Sequence, residues 1–143
     1  ADQLGVSPMA VAYHTGNKQE LLSDLVELAF ARVLDGIAGD TPVDRARSIL
    51  TNYCEIALTN ANLLRAILND VSLMSADLWR VADDLKAQTS QMENSDEGDV
   101  LVHLVIDYTH GFVLSASSGE NNPLTITDFL RGVDWVLAQA ARG

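Results

Sequence analysis

The sequence predicts an all-α fold, in which several amphipathic helices pack around one core. Apolar residues recur at helical spacing along the chain, and the alternating pattern typical of strands is missing. Glycine, proline and asparagine lie between the apolar segments, where helices end. With 143 residues, of which 48% are apolar, the chain is long enough to bury a sizeable core.

The opening of the chain predicts a helix-turn-helix, an arrangement that reads a DNA major groove. Gly5 suits the left-handed conformation that ends a helix. Ser7 is a favourable N-cap and Pro8 fits the first helical position, which predicts a short helix over Pro8–His14. Gly16 then breaks this helix before the next one begins.

These residues resemble the DNA-binding signature of the TetR (tetracycline-repressor-like) family of bacterial transcription regulators. The family pattern is A-x-x-L-G-V-S-x-x-x-L-Y-x-H-F-x-x-K-x-x-L-L, and the chain follows its register at Ala1, Leu4, Gly5, Val6, Ser7, Val11, His14, Lys18, Leu21 and Leu22. Ala12 stands where the family has a tyrosine that contacts a DNA phosphate, and Thr15 stands where it has Phe or Val. Beyond this stretch the resemblance is one of architecture.

The resemblance implies two parts. Residues 1–25 are expected to be the C-terminal part of a helix-turn-helix DNA-binding domain, and residues 26–143 a helical effector-binding and dimerisation domain. A full-length protein is expected to carry the first helix and a basic arm before Ala1. The residues expected to approach operator DNA are Ser7, Pro8, Met9, Ala10, Tyr13, His14 and Lys18. Ordinary exposed helix surface is the alternative for Met9, Ala10 and Tyr13.

The charge of the chain argues against DNA binding by these residues alone. The formal net charge is −11, and Lys18 is the only cationic side chain in the opening stretch. Affinity for DNA depends on neutralising phosphates with a basic face. We therefore expect operator binding only from a full-length protein.

The composition also bears on location. The single Cys54 excludes an internal disulfide and fits a reducing cytoplasm. No apolar run is expected to span a membrane and no signal-peptide pattern is found, so a cytoplasmic protein is predicted.

Helix boundaries follow from caps and breaks. The predicted helices are Lys18–Ile37, Pro42–Thr59 with Thr41 as its cap, Leu63–Leu68 after a break at residues 60–62, Ser75–Met92, Gly98–Ser117 and Thr127–Arg142. Loops are predicted at residues 93–99 and 118–122.

The last two helices predict a homodimer, which the family resemblance also implies. Apolar residues cover more than half the circumference of the helix at 98–117, so a second buried side is expected. Trp135 lies opposite the core stripe of the last helix, near Gly132, which would permit close approach. The predicted interface residues are Val105, Phe112, Gly132, Trp135 and Val136. The alternative for Trp135 is partial cover by a loop of its own chain.

A set of aromatic and apolar residues on the middle helices suits an adaptable small-molecule pocket. The predicted ligand-binding residues are Tyr53, Ala57, Leu64, Leu68, Met74, Leu78, Trp79 and Tyr108, with a polar stripe of His103, Asp107 and His110. The alternative for the apolar members is plain helical core. The resemblance implies an effector cavity in this helical body.

The polar stripe has further interpretations. His103, Asp107 and His110 lie on one face of one helix, so they could chelate a metal ion or form only a polar stripe. No fourth ligand is visible, and no metal or cofactor is predicted. The sequence also lacks a Gly-rich phosphate loop and a Gly-x-Ser-x-Gly elbow, and no enzymatic activity is predicted.

The leading functional hypothesis is a ligand-responsive DNA-binding transcriptional regulator, a repressor that a small-molecule effector releases from its operator. The second is a helical dimer that binds a small molecule or a protein and never touches DNA. A third, weaker hypothesis is a metal-dependent enzyme or sensor.

Overall fold

The computed structural model describes residues 17–92, 99–118 and 124–142, and this part of the chain is all-α as predicted. Its helices are α1 (Lys18–Ala29), α2 (Pro42–Thr59), α3 (Ala61–Asn69), α4 (Ala76–Met92), α5 (Val100–Ser117) and α6 (Ile126–Arg142), and a 3-10 turn (Val71–Leu73) joins α3 to α4. The helix predicted over Pro8–His14 lies outside the described residues, as does most of both predicted loops.

Helix α1 begins where the sequence predicts and is shorter than predicted. The side chain of Asn17 caps it by accepting a hydrogen bond of 2.9 Å from the Glu20 N–H. The helix has 12 residues and ends at Ala29, not at Ile37. Successive turns occupy residues 30–36. The predicted C-terminal boundary of this helix is therefore wrong.

A side chain of α2 explains why the chain leaves the α-helical path. The amide of Asn52 donates hydrogen bonds to the carbonyls of Val33 at 3.2 Å and Asp35 at 2.9 Å, which holds the turns in place. The same turns carry Phe30 and Val33 into the core, where both are fully buried. Gly36 then adopts a φ of 70°, a conformation that glycine takes without a steric penalty.

Helix α2 is the centre of the fold, and both its bounds match the prediction. Thr41 accepts a hydrogen bond of 3.1 Å from the Asp44 N–H, and Pro42 occupies the first helical position. The helix packs against α3, α4, α5 and α6. Its buried residues are Ala46, Ile49, Leu50, Tyr53, Cys54 and Ala57. Burial raises the pKa of the Cys54 thiol to about 12, as expected for a structural cysteine.

Ion pairs fix α2 against helices on two sides. Arg45 donates to both carboxylate oxygens of Asp84 on α4, at 3.3 and 2.8 Å. Arg47 donates to Asp134 on α6 at 2.7 Å. Partly exposed pairs of this kind add little stability, so their main effect is to hold the helices in one orientation.

The connection between α2 and α4 positions the candidate site. The predicted break at residues 60–62 is limited to Asn60, because α3 already begins at Ala61. After α3, the carboxylate of Asp70 accepts hydrogen bonds from the Ser72 N–H at 3.1 Å and from its hydroxyl at 2.6 Å. These bonds define the 3-10 turn and place Val71 at the edge of the helical body.

Helices α4, α5 and α6 follow the predicted bounds to within two residues. By length and composition α5 is a candidate membrane span, contrary to the expectation that no apolar run reaches that length. It packs against α2, α3, α4 and α6, and its residues Leu101, Val102, Val105, Thr109, Phe112 and Val113 are buried. On its other side Val100 and Leu104 remain 56% and 50% exposed.

Candidate ligand-binding site

A cavity of about 230 Å³ lies between α2, α3, α4 and α5. Leu68 and Val71, which contribute to its wall, are 47% and 66% exposed, so the cavity opens between α3 and the 3-10 turn. The residues that line it are Tyr53, Ile67, Leu68, Val71, Met74, Leu78, Val81, Ala82, Leu85, Ile106 and His110. Apolar walls with few polar groups are typical of small-molecule sites.

Tyr53 and His110 are the polar side chains among these lining residues. The Tyr53 Oη atom lies 2.7 Å from His110 Nε2, and the imidazole tautomer decides which of the two donates. The two rings meet edge to face with their centroids 5.8 Å apart. The Tyr53 ring also packs against Phe30 of the core, at a centroid distance of 5.9 Å. The polar pair is therefore held in place on the apolar wall.

Burial favours the neutral form of both groups. Desolvation raises the pKa of Tyr53 far above its ordinary value, and the Cys54 thiol adds to that shift. Desolvation lowers the pKa of His110, and this outweighs the opposite effect of the Asp107 carboxylate. At neutral pH the cavity presents a phenol and an uncharged imidazole.

The structure places part of the predicted ligand-binding set at the cavity. Tyr53, Leu68, Met74, Leu78 and His110 line it. The other predicted apolar members do not: Ala57 and Leu64 are fully buried in the core away from the cavity, and Trp79 on α4 is 52% exposed. These three residues therefore do not line this cavity, contrary to their grouping with the residues that do.

The predicted polar stripe on α5 is divided. His103 and Asp107 are exposed, whereas His110 belongs to the cavity. Tyr108 packs elsewhere, because its hydroxyl donates to the Phe129 carbonyl at 3.3 Å and its ring stacks on the Phe129 ring at 5.5 Å. Within the described segments no group of three or more His, Cys, Asp or Glu side chains is arranged to hold a metal ion. The stripe therefore does not act as one unit.

Further residues complete the cavity wall, although the sequence did not predict them as ligand contacts. They are Ile67, Val71, Val81, Ala82, Leu85 and Ile106. Helical spacing did indicate that Val81, Ala82 and Leu85 face inward. Spacing does not distinguish an inward residue beside a void from one in close-packed core. Val71 lies in a turn, where helical spacing gives no signal.

Some of the predicted dimer residues are buried within their own chain, and others are exposed. Val105 and Phe112 are 1% and 8% exposed and belong to the core of their own chain, so they offer almost no surface to a partner. Gly132 is explained within the chain, because a Cβ at this position would overlap the Tyr108 hydroxyl. Trp135 is 66% exposed, and Val136 beside it is partly buried.

The predicted DNA contacts are outside the described residues, except Lys18. This lysine is exposed at the first position of α1. Helix α1 runs without interruption across residue 25, where the boundary between the two parts was expected.

The start of α1 contacts the turn at the mouth of the cavity. The side-chain amide of Gln19 donates hydrogen bonds to the Ser72 hydroxyl at 2.8 Å and to the Asp70 carboxylate at 3.2 Å. Val71, which lies between these two acceptors in sequence, lines the cavity. The cavity wall and the helix that follows the opening segment are thus joined by direct side-chain contacts.

Comparisons of the chain with protein-family models, with curated proteins and with solved structures find no match.

Proposed function

We propose that the chain is the sensing and dimerising part of a ligand-responsive DNA-binding transcriptional regulator, a repressor that a small molecule releases from its operator. The observation that carries this proposal is the contact of Gln19 with the 3-10 turn beside the cavity. A molecule in the cavity would press on Val71, and the same turn holds the start of α1. Most of the residues that resemble the TetR signature precede α1, and Lys18, Leu21 and Leu22 lie in its first turns.

The mechanism would be a shift between two positions of α1. If the ligand binds better when the turn is displaced, it favours the conformation in which α1 has moved with the turn. The loss of operator affinity then equals the difference in ligand affinity between the two conformations, typically about 1–3 kcal/mol.

A homodimer is part of the proposal, because two copies would read two half-sites of an operator. Its support is the apolar surface on the last two helices. Trp135 on α6 and Leu104 on the neighbouring α5 are 66% and 50% exposed. Large exposed apolar side chains on adjacent helices are typical of an interface.

The experiment is a titration of the full-length protein onto the DNA upstream of its own coding sequence, at low and high salt. We expect binding that weakens as salt rises, because phosphate contacts release counterions. A full-length protein with no salt-sensitive binding to this DNA would contradict the proposal.

The second candidate is a helical dimer that binds a small molecule without DNA. The net charge of −11 and the absence of the phosphate-contacting tyrosine at Ala12 favour it. The same titration separates the two, since this candidate predicts ligand binding with no DNA binding under any salt condition.

A further inference from the structure

We propose that the cavity binds an uncharged, largely apolar molecule of roughly nine non-hydrogen atoms that carries one hydroxyl group, and that this hydroxyl pairs with Tyr53 and His110. The proposal rests on the proposed function only in treating this molecule as the effector. The binding itself follows from the size, charge and hydrogen-bonding capacity of the cavity.

The volume sets the size of the ligand. An apolar cavity of about 150 Å³ holds benzene, which has six non-hydrogen atoms. The cavity of about 230 Å³ is half as large again, which corresponds to one ring with two small substituents.

The side chains that line the cavity determine which ligand charge is favourable. None of the lining residues carries an ionised side chain, and burial favours the neutral forms of Tyr53 and His110. A charged ligand group held inside the cavity, against the Tyr53 and His110 pair, would lose its hydration without gaining an ionic partner, which is strongly unfavourable. Asp107 is the nearest acidic residue along α5, but it is exposed and outside the lining.

The polar pair sets the functional group. If Tyr53 donates to His110 Nε2, the phenol oxygen can still accept a hydrogen bond. If Nε2 donates to Tyr53, the phenol hydrogen is free to be donated. A ligand hydroxyl can donate or accept and therefore satisfies either tautomer, whereas a purely apolar ligand satisfies neither.

The test uses the full chain with three probes of similar size: para-ethylphenol, ethylbenzene and benzoate. Isothermal titration calorimetry should find para-ethylphenol tightest and ethylbenzene roughly three- to tenfold weaker, the usual worth of one hydrogen bond. No binding of benzoate is expected. Equal affinities for the first two probes, measurable binding of benzoate, or no binding of any probe would each overturn the proposal.

Variants of the chain test whether the ligand hydroxyl contacts the Tyr53 and His110 pair. Tyr53→Phe should weaken para-ethylphenol and leave ethylbenzene unchanged, and Tyr53→Phe combined with His110→Leu should abolish the difference between the two probes, because it removes both polar partners of the ligand hydroxyl. Tyr108→Phe is the matched control, because it removes a tyrosine hydroxyl that bonds to Phe129 outside the cavity. Ala82→Leu, which fills the cavity, should weaken both neutral probes. A Tyr108→Phe effect equal to that of Tyr53→Phe would refute the assignment.

The calorimetry contains no DNA, so its failure is distinct from that of the proposed function. If a full-length protein binds para-ethylphenol but does not bind its upstream DNA, the ligand proposal stands and the proposed regulatory function is wrong.

Discussion

The amide of Gln19 reaches the Ser72 hydroxyl at 2.8 Å, so the first turn of α1 is joined to the turn that carries Val71. Both groups are exposed, and the bond adds little to stability. Its significance is positional, because Val71 contacts the cavity on the other side of the same turn. This relationship leads to the first prediction.

Gln19→Ala should reduce the effect of a ligand on operator affinity by about 1 kcal/mol while leaving ligand affinity nearly unchanged. The physical reason is that the displaced turn no longer carries α1 with it. The measurement is operator binding by the full-length protein with and without para-ethylphenol. Gln91→Ala is the control, since Gln91 bonds to the Ala87 carbonyl of its own helix. A full ligand response in Gln19→Ala would contradict the coupling.

The exposed tryptophans provide a matched test of the homodimer. Trp135→Ala should weaken dimerisation by at least ~30-fold, the usual effect of removing an aromatic residue from the centre of an interface. Trp79→Ala is the control, because Trp79 is 52% exposed on α4, which is not one of the two helices of the proposed dimer surface. Sedimentation equilibrium measures both. A monomeric parent protein, or equal loss in the two variants, would rule out an interface around Trp135.

Gly132 is predicted to tolerate no side chain. A Cβ at this position would overlap the Tyr108 hydroxyl, so Gly132→Ala must displace the ring stacked on Phe129. We expect a loss of about 1–3 kcal/mol in the free energy of unfolding by urea. Gly111→Ala, where an added Cβ meets nothing within 4 Å, should instead gain about 0.5–1 kcal/mol from helix propensity. The prediction fails if the two variants are equally stable.

Asn52→Ala should loosen residues 30–36. The variant removes the amide that bonds to the carbonyls of Val33 and the exposed Asp35, at a cost of about 1 kcal/mol, because water can replace the amide at Asp35. Hydrogen exchange should show faster amide exchange in this segment before the rest of the chain. Asn62→Ala is the control, because the Asn62 side chain accepts from Arg65, one turn along its own helix α3. Unchanged exchange at residues 30–36 would contradict the proposed role of Asn52.

The buried position of His110 should make the folded chain less stable at acidic pH. Its pKa in the folded chain lies below the ordinary 6.5, because burial opposes the charged form. Between these two values the unfolded chain binds the proton more readily, so the free energy of unfolding falls as the pH drops below 6.5. The slope from this single group is at most ~1.4 kcal/mol per pH unit.

Urea unfolding at about pH 7.5 and about pH 5.5 measures the contribution of His110 to the free energy of unfolding. His110→Gln should show a smaller loss of stability on acidification than the parent chain. His103→Gln, at an exposed position on the same helix, should behave like the parent. Identical pH dependence of all three proteins would show that burial of His110 is not responsible.

Helix boundaries were predicted correctly where they depend on residues close together in sequence. Thr41 and Pro42 form a cap and a first helical turn within four residues, and both ends of α2 were predicted correctly. The end of α1 was missed because Asn52, far along the chain, holds the carbonyls of Val33 and Asp35. Hydrophobic spacing contains no information about such a distant hydrogen bond.

The cavity was predictable only in part for a related reason. Helical spacing identified the inward face of α4 that carries Leu78, whereas Tyr53 was predicted from the aromatic set and His110 from the polar stripe. It could not show that the neighbouring helices leave a void at Ala82 and close completely around Ala57. The position of a void depends on the distances between helices, which follow from the packing of the whole core.

Because α1 ends early, at Ala29, its length limits how far its N-terminal end would move if the helix tilted. At 1.5 Å per residue its 12 residues make a rod of ~18 Å, pivoting on the turns after Ala29. A tilt of about 10° would move the far end by ~3 Å. Gln19 lies at that far end, so a ligand that displaced the 3-10 turn would act on the end of α1 that lies farthest from the turns after Ala29, and the displacement would not be amplified. The displacement of the 3-10 turn and that of Lys18 should therefore be nearly equal.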